Sequence, residues 1–199
     1  MPTTWIDSVK KSGKLTVSNK IGSGDWSSIF EPCLREINRL LKANGLKVHF
    51  EKASDGDGNV EVTVSDGPVS FTYDNTTHAK QFDSTRLHGY TGLAGIDKSK
   101  TVEKAFIFLP SNPKVNTVSD VRRTGVKVMK LILLHEFIHS LGLSDHDHST
   151  DDIFTGNPTG NSGDTPDLDD VLILGKGSIK HVPPYFLSNS TVGKIKSIW

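Results

Sequence analysis

"LILLHEFIHSLGLSDHDHST", residues 131–150, decides how this chain is read. Its first part is apolar and free of Gly and Pro, so it belongs to a helix with little exposed surface. His135 and His139 stand four residues apart in it. On a helix that spacing projects both imidazoles from one face, about one turn apart. Glu136 follows the first histidine directly. A buried helix carrying two imidazoles and a carboxylate must give them partners, because burial strips their water. A lone core histidine is satisfied by a backbone group. The set His-Glu-x-x-His is better satisfied by a zinc ion, which takes both imidazole nitrogens and leaves the glutamate beside its open side to take a proton from bound water.

Working outward, "VSDVRRTGVKVMKLILLHEFIHSLG" (118–142) reads as one long helix, with Ser119 as N-cap and Gly142 as its stop. "EKAFIFLP" (103–110) reads as a strand ended by Pro110, and "NTTHAKQFDSTRLHGYTGLAGIDKSKT" (75–101) as a long surface loop. "LKVHFEKA" (46–53) and "NVEVTVSDG" (59–67) read as strands; Val60, Val62 and Val64 alternate in the second. "DGDGN" between them is a turn rather than a calcium loop, because no glutamate closes it. "SSIFEPCLREINRLLKANG" (27–45) is a helix opened by a Ser28–Glu31 capping box, with Ile29, Cys33, Ile37, Leu40 and Leu41 on one face. "KLTVSNKIG" (14–22) is a first strand, "TPDLDDVLILGKG" (165–177) a short helix, and the tail from Ser178 mostly irregular. The expected fold class is α+β: a mixed twisted sheet with two main helices, the second long and zinc-binding, and an irregular C-terminal subdomain. One domain over 1–199 is expected, divided into an N-terminal part, 1–142, and a C-terminal subdomain, 143–199.

Lys+Arg and Asp+Glu both number 23, which removes the electrostatic case for a nucleic-acid or acidic-membrane partner. Cys33 is the sole cysteine, so no intrachain disulfide forms, and its place on an apolar helix face makes it a core residue. No apolar run is long enough to span a membrane. The N-terminus shows no apolar signal core, which leaves open a cytoplasmic protein or one secreted by processing or another route. A monomer is expected.

A zinc site of this type needs a third protein ligand. Glu136 is the last glutamate of the chain, so a downstream Glu is excluded and the ligand is an Asp or a His. Gly142 lies three residues after His139, giving "HEFIHSLGLSD". This resembles the signature H-E-x-x-H-x-x-G-x-x-H of the metzincin zinc peptidases, and "HSLGLS" looks most like the matrixin branch. The specific resemblance covers roughly residues 119–154; beyond them it is the order of elements only. The resemblance implies a zinc-dependent endopeptidase acting on protein or peptide substrates, with His135 and His139 as metal ligands. Glu136 would be general base and acid toward a zinc-bound water. It also implies that strand 105–109 lies at the cleft edge, pairing with an extended substrate, with "TGLAG" (91–95) beside it. Two departures stand out. Asp145 holds the usual third-ligand position, with His146 and His148 just beyond; His148, followed by Ser-Thr-Asp much as matrixin ligands are, is preferred over Asp145 and His146. The residues of this trio that do not bind are expected beside the ligands, and Asp145 or Asp147 would orient an imidazole by accepting its N–H. No methionine follows residue 129, and Phe154 is placed where metzincins carry the methionine beneath the zinc. Tyr185 is a candidate extra donor to the oxyanion. His49, His78, His88 and His181 read as surface residues rather than a second site with Asp83 or Asp97.

Three rivals remain for comparison. Peptide deformylases share the helix motif, but their glycine motif precedes their cysteine motif, and their Gln ahead of the helix motif is Leu134 here. A ribosomal-RNA maturation endonuclease family has a near-matching histidine pattern without the glutamate and with spacing one residue shorter. The neutral charge disfavours RNA. A non-catalytic zinc domain would retain the histidines and have no use for Glu136.

Overall fold

The computed structural model describes residues 3–54, 56–95, 101–116, 121–149, 152–154, 171–175, 178–181 and 185–199. In chain order the first half runs β1 (Thr4–Trp5), α1 (Asp7–Ser12), β2 (Lys14–Asn19), α2 (Asp25–Ala43), β3 (His49–Lys52), β4 (Val60–Ser65), β5 (Val69–Tyr73), β6 (Thr76–Lys80) and β7 (Tyr90–Ala94). The second runs β8 (Thr101–Val102), β9 (Lys104–Pro110), β10 (Lys114–Asn116), β11 (Val121–Arg123), α3 (Val126–Ser140), a 3-10 turn (Asp145–Asp147), β12 (Val171–Gly175), β13 (Ser178–His181) and α4 (Asn189–Ile198).

The α+β expectation holds at the level of a mixed sheet with helices packed on it. Five strands order as β3-β2-β4-β9-β7; the first four are parallel and β7 runs antiparallel to β9. β9 reads as an unbroken apolar run because both its faces are covered. One face meets α3, and the other carries Phe106 and Phe108 against Phe71 of the β5–β6 hairpin. The larger apolar core collects side chains from Trp5 through to Ile198, with α2 and α3 packed together over the sheet, and the Phe71 cluster on the other face is a second, smaller one. Cys33 sits in the larger core, its thiol pushed up to about 12 by burial, which makes it unreactive. Among the described residues no helix is long and apolar enough to cross a membrane.

Several expectations are corrected. α2 starts at Asp25 behind Gly24, so there is no Ser28–Glu31 capping box: Ser28 Oγ donates to the Asp25 carbonyl, and the Glu31 carboxylate pairs with Lys52 at 2.9 Å. The Trp26 indole, bonded to the Pro110 carbonyl at 2.7 Å, fixes that earlier start. α3 begins at Val126 rather than 118, because the chain ahead of it pairs as the β10–β11 hairpin and Thr124 N–H bonds to the Pro113 carbonyl. Ser119 lies outside the described residues. The expected loop 75–101 contains β6 and β7. β7 escapes a pattern reading because Gly92 sits in its middle, where a Cβ would come 2.4 Å from the Phe71 ring. Within 165–177 the described part, Val171–Gly175, is a strand paired with Ser178–His181, not a helix. A run such as "VLIL" fits either state by periodicity, and its β-branched residues favour the strand. The tail is not irregular throughout: α4 is capped by Ser188, whose Oγ accepts the Thr191 N–H, and it buries Val192, Ile195 and Ile198.

Candidate metal centre

α3 is apolar on all sides because it lies inside the protein: Leu131 to Leu134, Phe137 and Ile138 are all buried. His135, Glu136 and His139 are its polar members on the side facing a cleft. The helix stops at Gly142, whose φ of +108° is one that L side chains rarely adopt. A Cβ there would also meet the Thr3 carbonyl at 2.1 Å, and Thr3 N–H bonds to the Gly142 carbonyl. The chain then doubles back beneath the helix. Ser144 and Asp147 cap the 3-10 turn reciprocally, the Asp147 carboxylate accepting the Ser144 N–H at 2.9 Å and its hydroxyl at 2.7 Å. Burial works against that carboxylate, but the two Ser144 bonds hold it below its ordinary range.

The turn delivers His148 to the other two imidazoles. His135 Nε2 and His139 Nε2 are 3.1 Å apart, and His148 Nε2 is 3.1 Å from His139 Nε2. Among the described residues this is the one cluster of metal-ligating groups. The other two members of the sequence trio behave differently. His146 is exposed and outside the cluster, while Asp145 reaches its edge, Oδ1 standing 3.7 Å from His139 Nε2.

The hydrogen bonds on the far side of the rings test whether the trio fits a cation. His135 Nδ1 lies 3.0 Å from the Ile153 carbonyl and His139 Nδ1 lies 2.8 Å from the Leu143 carbonyl. A carbonyl only accepts, so each Nδ1 carries the proton, and in a neutral ring Nε2 is then a bare lone pair. Two bare lone pairs at 3.1 Å cannot bond to each other. Protonation does not rescue them: burial first, then the neighbouring His139, holds His135 well below the ordinary imidazole range, and burial brings His139 down to about 4. His148 is likewise lowered by burial. A cation among the nitrogens does rescue them. Zinc–nitrogen bonds of about 2.0–2.1 Å in a tetrahedron set ligand atoms about 3.3 Å apart, close to what is seen. The residues present therefore fit a zinc ion.

Phe154 closes the floor. Fully buried, its ring centroid lies 5.2 Å from that of His135 and 4.8 Å from those of His139 and His148. Its turn is held by Asp152, also fully buried, whose carboxylate accepts from Ser149 Oγ, from Phe154 N–H at 2.8 Å and from Ser188 N–H at 2.7 Å. Burial alone would raise that carboxyl, but bonds from Ser149, Thr191 and Ser188 hold it below its usual range. Lys194 of α4 donates to the Asp147 and His148 carbonyls at 2.5 and 3.4 Å. The C-terminal helix thus fixes the loop that carries the third imidazole.

Glu136 lines the same cleft as the trio and meets β7 with its carboxylate. It is 2% exposed, and Thr91 Oγ1 donates to its Oε2 at 2.6 Å. Burial raises its carboxyl to about 7, while the bonds from Thr91 and the Gly89 backbone pull the other way. Gly89 is needed there, because a Cβ would lie 2.7 Å from Glu136 Cγ and 2.8 Å from the Phe108 carbonyl. A cleft of about 510 Å³ opens beside these groups, with Leu87, Leu93, Leu131, Ile132 and Ile153 as apolar lining and His88 and Asp145 at its polar margin.

β7 is the last strand of the sheet, so it forms the cleft edge. The expectation that strand 105–109 does so is corrected: β9 is flanked by β4 and β7, while "TGLAG" does run beside it. Tyr185 is not at the cleft; its hydroxyl donates to the Lys127 carbonyl at 2.8 Å. His49 pairs with Glu51, His78 stacks on Phe71, and Asp83 binds Thr85, so these build no second site; Asp97 and the His181 side chain lie outside the described residues. Sequence reasoning missed Thr91, Gly89, Asp152 and Lys194. The first two stand in "HGYTGLAG", whose glycines were a signal; the last two carry none. No protein-family model matches the chain, and no curated protein matches it.

Proposed function

We propose that the chain is a zinc-dependent endopeptidase with one catalytic domain, in which His135, His139 and His148 hold the metal and Glu136 is general base and acid. One observation carries the reading: three imidazole Nε2 atoms converge, two with their protons committed to carbonyls on the far side, next to a buried carboxylate. When bound, zinc supplies a Lewis acid that polarises a carbonyl and acidifies water. Glu136 takes the proton of the attacking water and passes it to the leaving amine. Without metal, burial raises the Glu136 carboxyl, and a nearby cation would draw it down again, so the group can both take up and release a proton. Thr91 and Gly89 fix which way Glu136 points. Substrate enters as an extended segment along the outer edge of β7, where main-chain groups recognise a peptide and not a nucleic acid. The neutral charge and the likeness of "HEFIHSLGLSD" to the metzincin signature support the same substrate class.

The test is hydrolysis of a denatured protein and of a structured RNA, with and without chelator, by wild type and Glu136→Ala. Chelator-sensitive proteolysis absent from the variant is expected. RNA cleavage without proteolysis would overturn the proposal.

A further inference from the structure

We propose that Lys80 selects substrates with an acidic side chain close to the bond that is cut, so that the cleft takes acidic peptides. The inference deepens the peptidase reading above and rests on it. Lys80 lines the same cleft as His135, Glu136, His139 and His148, and among the described lining residues it is the only lysine or arginine. Other lysines of the sheet have counter-ions: Lys14 with Glu51, Lys52 with Glu31 and Lys104 with Asp57. Lys80 has no carboxylate partner among the described residues. Glu136 is taken by Thr91, and Asp145, on the turn after α3, is not within ion-pair distance of Lys80. Burial is the largest influence on Glu136 and on His88, and the Lys80 charge also reaches both, so the ammonium faces the space where they stand.

The ammonium is also held in place. Lys80 ends β6, where its backbone pairs with Val69 of β5. Phe71 pins that hairpin to the sheet, its ring stacked 4.6 Å from that of Phe106. Lys80 Nζ lies 4.0 Å from the centroid of the Tyr90 ring, and that ring stacks at 14° on Phe108. A ring face attracts a cation without neutralising it, so the charge stays available to a carboxylate. A cation held in this way loses little freedom when a substrate arrives. Tyr90 opens β7, the edge along which the substrate lies, and the next residue, Thr91, holds Glu136. At about 3.3 Å per residue of strand, the substrate side chain that meets Lys80 is within about two residues of the bond cut. Asp or Glu there gains an ion pair, Asn or Gln lacks it, and Lys or Arg meets a like charge.

The experiment uses the full zinc-loaded chain and a set of acetylated, amidated peptides that differ only by Glu, Gln or Lys at each position in turn. Blocking both ends leaves the side chain as the sole carboxylate. Wild type is compared with Lys80→Met, which keeps the stem on the Tyr90 ring, with Lys80→Glu, and with Lys52→Met as a control on a lysine away from the cleft. In wild type, Glu is expected to raise kcat/KM about fivefold over Gln at one position near the cut bond. The preference disappears in Lys80→Met, turns toward Lys in Lys80→Glu, stays in Lys52→Met, and shrinks as salt is added. Bound zinc, measured by metal analysis, is the same in all four proteins. A wild-type Glu-to-Gln ratio within about 1.5-fold at every position, a Lys80→Met variant that keeps the preference, or a preference seen only when the peptide's terminal carboxylate is free would overturn this proposal alone. A wild type that cuts none of the peptides would overturn the peptidase reading and this proposal with it, so the two failures are distinguishable.

Discussion

Asp152→Asn probes how the site is built. The substitution preserves shape and removes one acceptor oxygen. In the native turn one oxygen accepts from Ser149 Oγ and Phe154 N–H and the other from Ser188 N–H, all in a fully buried place. An Asn amide satisfies one side and sets its own N–H against donors on the other. A lost bond to a charged acceptor is worth about 1.5–3 kcal/mol and an orphaned buried donor about 1–3 kcal/mol. Relaxation recovers part of this, so a loss of roughly 2–4 kcal/mol is expected. For a chain of this size that lowers Tm by about 4–16 °C. The same turn supplies the Ile153 carbonyl that orients His135 and the Phe154 ring beneath the trio, so zinc affinity is expected to fall about 10–100-fold. Urea unfolding of the metal-free protein and chelator competition measure the two separately. Because the folded carboxyl is held low, its contribution is present above the unfolded pKa and lost as pH falls through the folded one, so the difference from wild type should shrink in acid. A variant within about 0.5 kcal/mol of wild type with unchanged zinc affinity would refute the reasoning.

Other consequences are as direct. Gly89→Ala puts a methyl 2.7 Å from Glu136 Cγ, so peptidase turnover should fall about a hundredfold with zinc stoichiometry kept. Gly142→Ala meets the Thr3 carbonyl at 2.1 Å and an unfavourable φ, and should destabilise the fold by about 3 kcal/mol or more in urea unfolding. In metal-free protein the unfolded chain takes up imidazole protons first, His139 being lowered to about 4. Stability contributed by the neutral ring is present above about 6.5 and lost as pH falls toward 4, which unfolding curves across that window check. Glu136 acts in the opposite sense, since a carboxyl raised to about 7 disfavours the folded state as pH rises from about 4.5 through 7. Metal-free Glu136→Gln should accordingly be more stable than wild type at pH 8, by up to about 3 kcal/mol.

The reach of the sequence follows the range of the interactions. The spacing of His135, Glu136 and His139 is local to one helix, so periodicity places it. Val60 and Val62 alternate and β9 is an apolar run, so those strands were legible. β7 was not, because Gly92 is set by a ring from a hairpin some twenty residues away in the chain, and β6 was not, because all five of its residues are exposed. The start of α3 was overrun because "VSDVRRTG" suits a helix until its pairing with β10 is known. The convergence of His148 depends on Lys194 and Asp152, contacts from α4 or its N-terminus that no local pattern announces. Among Asp145, His146 and His148 the sequence leaves a choice open, and the path of the turn brings His148 beside the other two imidazoles.

The central claim is that three imidazoles hold one zinc ion. Zinc titration of metal-free wild type and His148→Ala against a competing chelator tests it most directly. One zinc per chain is predicted, with affinity lower by about a hundredfold or more in the variant. A wild type that takes up no zinc, or a His148→Ala variant that binds as tightly as wild type, would contradict it.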